Sequence, residues 1–252
     1  MYSYRKHLKQ LPESVLEEME SDQEKGLPAP DIQKPHPANA DLIDLVPPDA
    51  LTIGHISLLD AINKRRSHRK YTNAYLSLEE LSFLLWSTQG VRGFALKRSR
   101  TLRTVPSGGA MHPFETYLMV NRVEGLEPGT YRYIAIGHKL YQEQVDASDL
   151  PQRINRASSD QDFVGKAAVV FIWSVRPYRT EWRYAETSLR SILMSVGHIC
   201  QNLYLACEAI DSGTCAIAAY RQNELDAFIG VDGEDEIAIY LAPVGKVKAS
   251  QV

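Results

Sequence analysis

Residues 77 to 90, SLEELSFLLWSTQG, carry a clear helical pattern. Ser77-x-x-Glu80 forms a capping box, Leu78, Leu81, Leu84 and Leu85 fall on one stripe, and Gly90 ends it. ISLLDAINKRRS predicts another helix, with Ile56, Leu59 and Ile62 at helical spacing and a basic end. TYLMVNRV, TYRYIAI and KLYQEQV read as strands, and the Gly137-His138 step between the last two predicts a hairpin. AAVVFIWSV is a continuous apolar run, which predicts a strand buried on both faces. From Trp182 to Ile210 the pattern predicts one long helix, apolar on most of its circumference. Such a helix is buried in a large core or against another subunit. CAIAAY and EIAIYLAPV predict two last strands.

The first 55 residues differ. After a short helix-like piece, PESVLEEMESD, the stretch GLPAPDIQKPHPANADLIDLVPP holds six of the 13 prolines. Proline fixes φ and biases its predecessor towards extended geometry, which predicts an arm lying on a surface. Leu42, Ile43, Leu45 and Val46 are too apolar for a disordered tail. The expected organisation is an extended Pro-rich arm over 1–55 and one domain over 56–252. The fold class is α+β, a mainly antiparallel sheet with helices packed over it.

Composition narrows the function. A chain of 252 residues with 44% hydrophobic and 23% charged residues matches an ordinary globular protein. A net charge of -3 gives no global attraction for nucleic acid or an anionic membrane. No apolar run is long enough to span a bilayer, and the first residues lack the apolar block of a secretory signal, so a cytoplasmic location is expected. Cys200, Cys207 and Cys215 lack CxxC spacing or a nearby histidine partner, and read as buried reduced thiols; no metal site is expected.

Four stretches carry candidate chemistry. NKRRSHRKY offers Arg65, Arg66, Ser67 and Arg69 within a turn, suited to a phosphate dianion, although cations also gather at helix C-termini. TVPSGGAMHPFE presents bare backbone before a strand, as a ligand cradle or as a tight turn. DSGTCAIAAY places small residues after a long helix, open to a planar ligand or to close sheet packing. In LAPVGKV, Lys246 follows a strand. There is no GxGxxG, Walker motif, HExxH or GxSxG, and Glu186 and Glu208 lack a paired carboxylate. Anion ligands and bare backbone without a nucleophile suit an enzyme whose cofactor carries the reaction.

Together these pieces resemble the nitroreductase family of FMN-dependent oxidoreductases, in order from about residue 57 to 247. RRSHRKY is similar to the family's phosphate-binding segment. PSGGAMHPFE is similar to its PSxxNxQPW loop, and closer to the PSAGALYP form of the subgroup that oxidises azoline rings in modified peptides. VEGLEPGTYRY, GHICQNLYLACEA, CAIAAY, LDAFIGVDGEDE and LAPVGK follow in register.

The resemblance implies an intertwined homodimer with FMN at the subunit interface, where the long helix lies. It implies Arg65, Arg66, Ser67 and Arg69 on the phosphate and pyrimidine side, with Lys246 assisting at the phosphate. Pro106, Ser107, Gly108 and Ala110 would come from the other subunit. Ala218 and Ala219 would offer backbone near the reactive flavin nitrogen, and Gln161 would reach the flavin or ribityl edge. Two departures stand out. Ala110 replaces the family's usual asparagine, and Arg183-Tyr184 stands where azoline oxidases carry Lys-Tyr. An arginine stays protonated and is a poor base, which leaves Tyr184 as a proton donor. The implied activity takes hydride from NADH or NADPH and reduces a small electrophile. The alternatives are dehydrogenation of an azoline ring or small metabolite with reoxidation by oxygen, and a non-catalytic partner subunit.

Overall fold

The computed structural model describes residues 3–143 and 148–248; the last two residues of the KLYQEQV run lie outside them. Its main sheet has seven strands: β1 (Leu42–Asp44), β4 (Phe114–Val120), β5 (Gly129–Ile134), β6 (Lys139–Gln142), β7 (Val169–Val175), β8 (Ser212–Thr214) and β9 (Ile237–Lys246). They lie in the order β1-β6-β5-β4-β7-β9-β8, each neighbouring pair antiparallel. A separate ribbon pairs β2 (Val91–Ala95) with β3 (Arg100–Arg103).

The sheet is covered on both faces, and β7 shows why. Phe171, Trp173 and Val175 enter one core with α3 (Leu78–Gln89) and α6 (Ser188–Glu208). Val170 and Ile172 enter a second core with α4 (Leu150–Ala157) and α7 (Gln222–Ile229). Every β7 residue is buried, as the unbroken apolar run requires. On β9 the inward side changes at a bulge opposite Trp173 and Ser174, so Ala238 and Leu241 reach the same core although they are three apart.

Local chemistry explains several elements. Ser77 and Glu80 form the reciprocal capping box of α3. Gly90 closes that helix at φ -56°, so it serves close approach rather than left-handed geometry: a Cβ there would meet the Trp86 ring at 2.3 Å. The β5–β6 hairpin turns through Gly137 and His138 at φ 97° and 53°.

The long helix predicted from Trp182 to Ile210 is instead broken. α5 (Tyr178–Tyr184) ends at Ala185, whose φ is 40° and ψ -127°, and α6 begins at Ser188 after a 3-10 turn. Two helical acceptors are diverted there. The Gln23 N–H donates to the Trp182 carbonyl at 2.8 Å, and the Thr187 hydroxyl to the Tyr184 carbonyl at 2.6 Å. CAIAAY likewise forms no strand. Pairing stops at Thr214, and beyond it the backbone bridges the sheet at Ile217 to Leu241, while the Tyr220 hydroxyl donates to the Ala238 carbonyl at 3.3 Å. The sequence patterns also gave no indication of α4, α7 or the β2–β3 ribbon.

The Pro-rich stretch crosses the surface and ends in β1, the edge strand beside β6. It is pinned by charge. Arg179 donates to the Asp31 carbonyl at 2.7 Å, and Arg132 to the carbonyls of Lys34 and Pro35 at 2.9 and 2.8 Å. The Lys34 ammonium pairs with Glu236 at 2.8 Å. Earlier in the chain, α1 (Glu13–Glu18) forms as PESVLEEMESD predicts.

α2 and α6 each leave several apolar residues uncovered. α2 (Leu58–Lys64) forms at the predicted place, capped by Ser57, yet Leu58, Leu59 and Ile62 are 67%, 69% and 53% exposed. α6 buries Ile192, Val196, Ile199 and Leu203 but leaves Leu189, Leu193 and Met194 open. α2 packs on α6, so both belong to one side of the chain.

Candidate functional site

The basic segment leaves α2 at Arg65 and runs along β8. Ser67 bridges to Thr214 in parallel, and the His68 N–H donates to the Thr214 carbonyl at 2.9 Å. Two glycines let it lie this close. A Cβ on Gly213 would meet the His68 ring at 2.6 Å, and one on Gly245 would meet Tyr71 at 3.0 Å. Tyr71 donates to the His68 carbonyl at 2.8 Å, and burial pushes its phenol pKa far up.

Tyr204 on α6 ties this region together, and nothing in the sequence singled it out. Its ring lies 5.3 Å from the Arg65 guanidinium carbon, and its hydroxyl is 2.9 Å from the Ser67 Oγ. The same hydroxyl accepts the Ala216 N–H at 2.8 Å, which fixes the start of the open stretch leading to Ala218 and Ala219. Gln161 meets that stretch: its Nε2 donates to the carbonyls of Ser158 and Ala219 at 2.8 and 3.2 Å. Arg65, Arg66 and Arg69 make no ion pair among the described residues. Lys246 does: its ammonium pairs with Glu80 and donates to the Ile210 carbonyl at 2.7 Å.

The glycine loop forms a second group. Ser107 Oγ accepts the His112 N–H at 3.1 Å, while Gly109, Ala110 and His112 take φ of 57°, 53° and 43°. Left-handed geometry at two non-glycine residues is a strained arrangement. The loop lies against the end of α5 and the start of α6. A Cβ on Gly109 would stand 2.8 Å from the Tyr184 hydroxyl and 2.9 Å from Arg183 Cδ and Nε; one on Gly108 would stand 2.6 Å from Ser191 Oγ. Arg183 and Tyr184 therefore sit directly on Gly108 and Gly109, with Pro106, Ser107 and Ala110 alongside in the same loop. Arg100, beneath them, is buried with its guanidinium carbon 5.2 Å from the Trp182 ring centre. Its parent string KRSRTLR reads as a solvated basic run and carries no signal of burial. His112 is neutral here, because burial and the Arg103 charge hold its pKa down at about 3.

The two groups are apart within one chain. The loop touches α6 at Ser191 and the basic segment touches it at Tyr204, about 20 Å away at 1.5 Å rise per residue. Arg65, Arg66, Ser67, Arg69, Gln161, Ala218, Ala219 and Lys246 belong to one end. Pro106, Ser107, Gly108, Ala110, Arg183 and Tyr184 belong to the other. The exposed apolar residues of α6 lie near its loop end.

Other chemistry is sparse. All three cysteines are free and buried, and burial pushes the Cys200 thiol up to about 12. No cluster suited to a metal ion occurs among the described residues, and no helix among them is long and apolar enough to cross a membrane.

Comparison with known proteins places the chain in a family. The nitroreductase family profile matches residues 62–246. A nitroreductase-named protein of Methanocaldococcus jannaschii is 33% identical over 206 residues, covering 82% of this chain and 98% of the relative. The crystal structure of a nitroreductase-named protein from Ralstonia eutropha superposes with TM-score 0.67 at 24% identity, covering 86% of this chain and 95% of that one. A chain of the Escherichia coli microcin synthetase McbBCD complex, with truncated pro-MccB17 bound, superposes with TM-score 0.60 at 19% identity, covering 96% and 84%. With the profile spanning most of its length and a full-length relative at one-third identity, this chain belongs to the nitroreductase family of flavin-dependent oxidoreductases.

Proposed function

We propose that this protein is an FMN-dependent oxidoreductase that takes reducing equivalents from NADH or NADPH and passes them to a small electrophile, such as a nitroaromatic or a quinone, as a homodimer. The observation that carries this reading is the separation of two complementary groups along α6, on a side of the chain with uncovered apolar residues. A two-fold axis perpendicular to α6 would set it antiparallel to its copy. The loop at one Ser191 would then approach the basic segment at the other Tyr204.

The residues fit FMN on two counts. The three guanidinium groups of Arg65, Arg66 and Arg69, unpaired with carboxylates among the described residues, suit the phosphate together with the Ser67 hydroxyl. Gly108 and Gly109 carry no side chain where Ser191, Arg183 and Tyr184 close on the loop, and the backbone there, beside Pro106, Ser107 and Ala110, would meet the flavin. Bound FMN supplies the hydride chemistry. Ala218 and Ala219 would offer backbone to the flavin edge, held by Gln161. Lys246 keeps two of its three donors on Glu80 and Ile210, so a phosphate would draw on the third. The Tyr184 hydroxyl would supply a proton, and Arg183 would orient the substrate.

Likeness to the microcin synthetase chain supports a second reading, dehydrogenation of a peptide-derived azoline ring. Arg183 opposes it, since a guanidinium does not act as a base near neutral pH. An anaerobic absorbance spectrum with NADH or NADPH tests the first reading. The expected result is a yellow protein that bleaches on addition of either nucleotide. Protein that takes up no FMN, or whose flavin neither nucleotide reduces, overturns it.

A further inference from the structure

We propose that Arg183, backed by Arg100, binds an anionic group of the substrate, a carboxylate or phosphate, above the Gly108–Gly109 surface. The inference rests on the oxidoreductase reading and names the class of substrate that the site takes. Arg183 is half-buried, and among the described residues its one hydrogen-bond partner is a neutral amide oxygen, Gln23 Oε1, at 3.4 Å. Arg100 is 4% exposed; it donates to the Ser99 carbonyl at 2.6 Å, and its Nε has no partner. Among the described residues, neither guanidinium pairs with a carboxylate.

Of the other deeply buried arginines, Arg132 meets Glu143 and Arg179 meets Glu115, while Arg103 fills its fork with the neutral oxygens of Thr101, Gln89 and Ile32. A buried guanidinium is normally neutralised, because leaving it unpaired costs desolvation with no return. Here one buried guanidinium, Arg100, and a half-buried one, Arg183, sit close together, and burial followed by the Arg183 charge holds the Arg100 pKa down. The nearest acid on α5, Glu181, is two residues from Arg183 and so on another side of the helix, where it lines the cleft against α1. An incoming anion would meet the Arg183 fork, the Arg100 charge behind it and the Tyr184 hydroxyl. Gly109 leaves the room, because a Cβ there would clash with both Arg183 and Tyr184.

The test uses the FMN-loaded protein and quenching of tryptophan fluorescence, since Trp182 adjoins the proposed subsite. 4-Nitrobenzoate and 4-nitrobenzamide share a shape and differ in charge; ADP-ribose presents a diphosphate instead. Wild-type protein is expected to bind 4-nitrobenzoate or ADP-ribose at least about tenfold more tightly than the amide. Arg183→Met is expected to reduce that preference to near parity, Arg100→Met to weaken it several-fold, and Arg183→Lys to keep part of it. Preference for the benzoate assigns the anion to the electron acceptor, and preference for ADP-ribose assigns it to the nucleotide donor. Equal affinity of wild-type protein for all three probes overturns the proposal, as does a preference that survives Arg183→Met. FMN loss in the variants also overturns it, by assigning the arginines to the cofactor phosphate. Should wild-type protein take up no FMN, the oxidoreductase reading fails while the same titration still reads the subsite.

Discussion

Gly213→Ala tests the packing that holds the basic segment in place. The new methyl would stand 2.6 Å from the His68 Cγ and 2.7 Å from Cβ and Cδ2. Ordinary carbon contacts lie at about 3.5–4.0 Å, so His68 must retreat by about 1 Å. The ring is anchored by its own backbone, whose N–H donates to Thr214, so that retreat pulls on the β8 edge. Overpacking of this kind costs about 1–3 kcal/mol. Against it stands the gain of about 0.4–1 kcal/mol from a less flexible unfolded chain when alanine replaces glycine. The net expectation is a loss of about 1–2 kcal/mol, read as a lower urea midpoint at unchanged slope. FMN affinity should fall with it, because Ser67 and Arg69 flank the displaced residue. The double variant Gly213→Ala/His68→Ala removes the ring contacts but keeps the His68 Cβ at 2.7 Å, so it should recover the midpoint in part. A single variant as stable as wild type, or a double variant with no recovery, refutes the reasoning.

Arg69→Ala should weaken FMN binding by about 10- to 100-fold, the loss of one charge-assisted contact, measured by flavin fluorescence titration. Unchanged affinity would remove Arg69 from the cofactor site. Leu193→Glu places a charge on the uncovered face of α6, where Leu193 is 52% exposed, and should shift light scattering from dimer to monomer with loss of FMN. A folded variant that remains dimeric would count against pairing through this face. His112 should make stability depend on pH: its contribution is full above the unfolded pKa of about 6.5 and declines as pH falls towards the folded value of about 3, since only the unfolded chain protonates there. His112→Asn should flatten the decline between pH 7 and pH 5 in urea titrations, and an unchanged slope would contradict it.

Strong local patterns were legible from the sequence. The unbroken run AAVVFIWSV could only be a strand covered on both sides, and the Ser77–Glu80 box fixed where α3 starts. The basic segment and glycine loop were legible as compositional anomalies. What escaped was set at long range. No residue near Tyr184 signals a helix break; the Gln23 amide helps to impose it from more than 150 positions away. The β2–β3 ribbon hid because Arg100 and Arg103 are buried charges in short strands, which read as surface. α4 and α7 span only about two turns each, too short for a periodic signal to stand out. Tyr204 was lost among apolar neighbours, where a tyrosine passes for core.

The pinning of the Pro-rich arm has a consequence for biosynthesis. Its partners arrive late: Arg132, Arg179 and Glu236 all follow it by about a hundred residues or more. At about 5–20 residues per second, the arm emerges several seconds or more before the first of them can be made. During that interval its prolines limit the conformations it samples. The bend that sets Arg183 and Tyr184 on the glycine loop must await the return of this early segment to α5. Contacts of such high sequence separation form slowly, so the placing of the candidate catalytic pair depends on a slow class of contact.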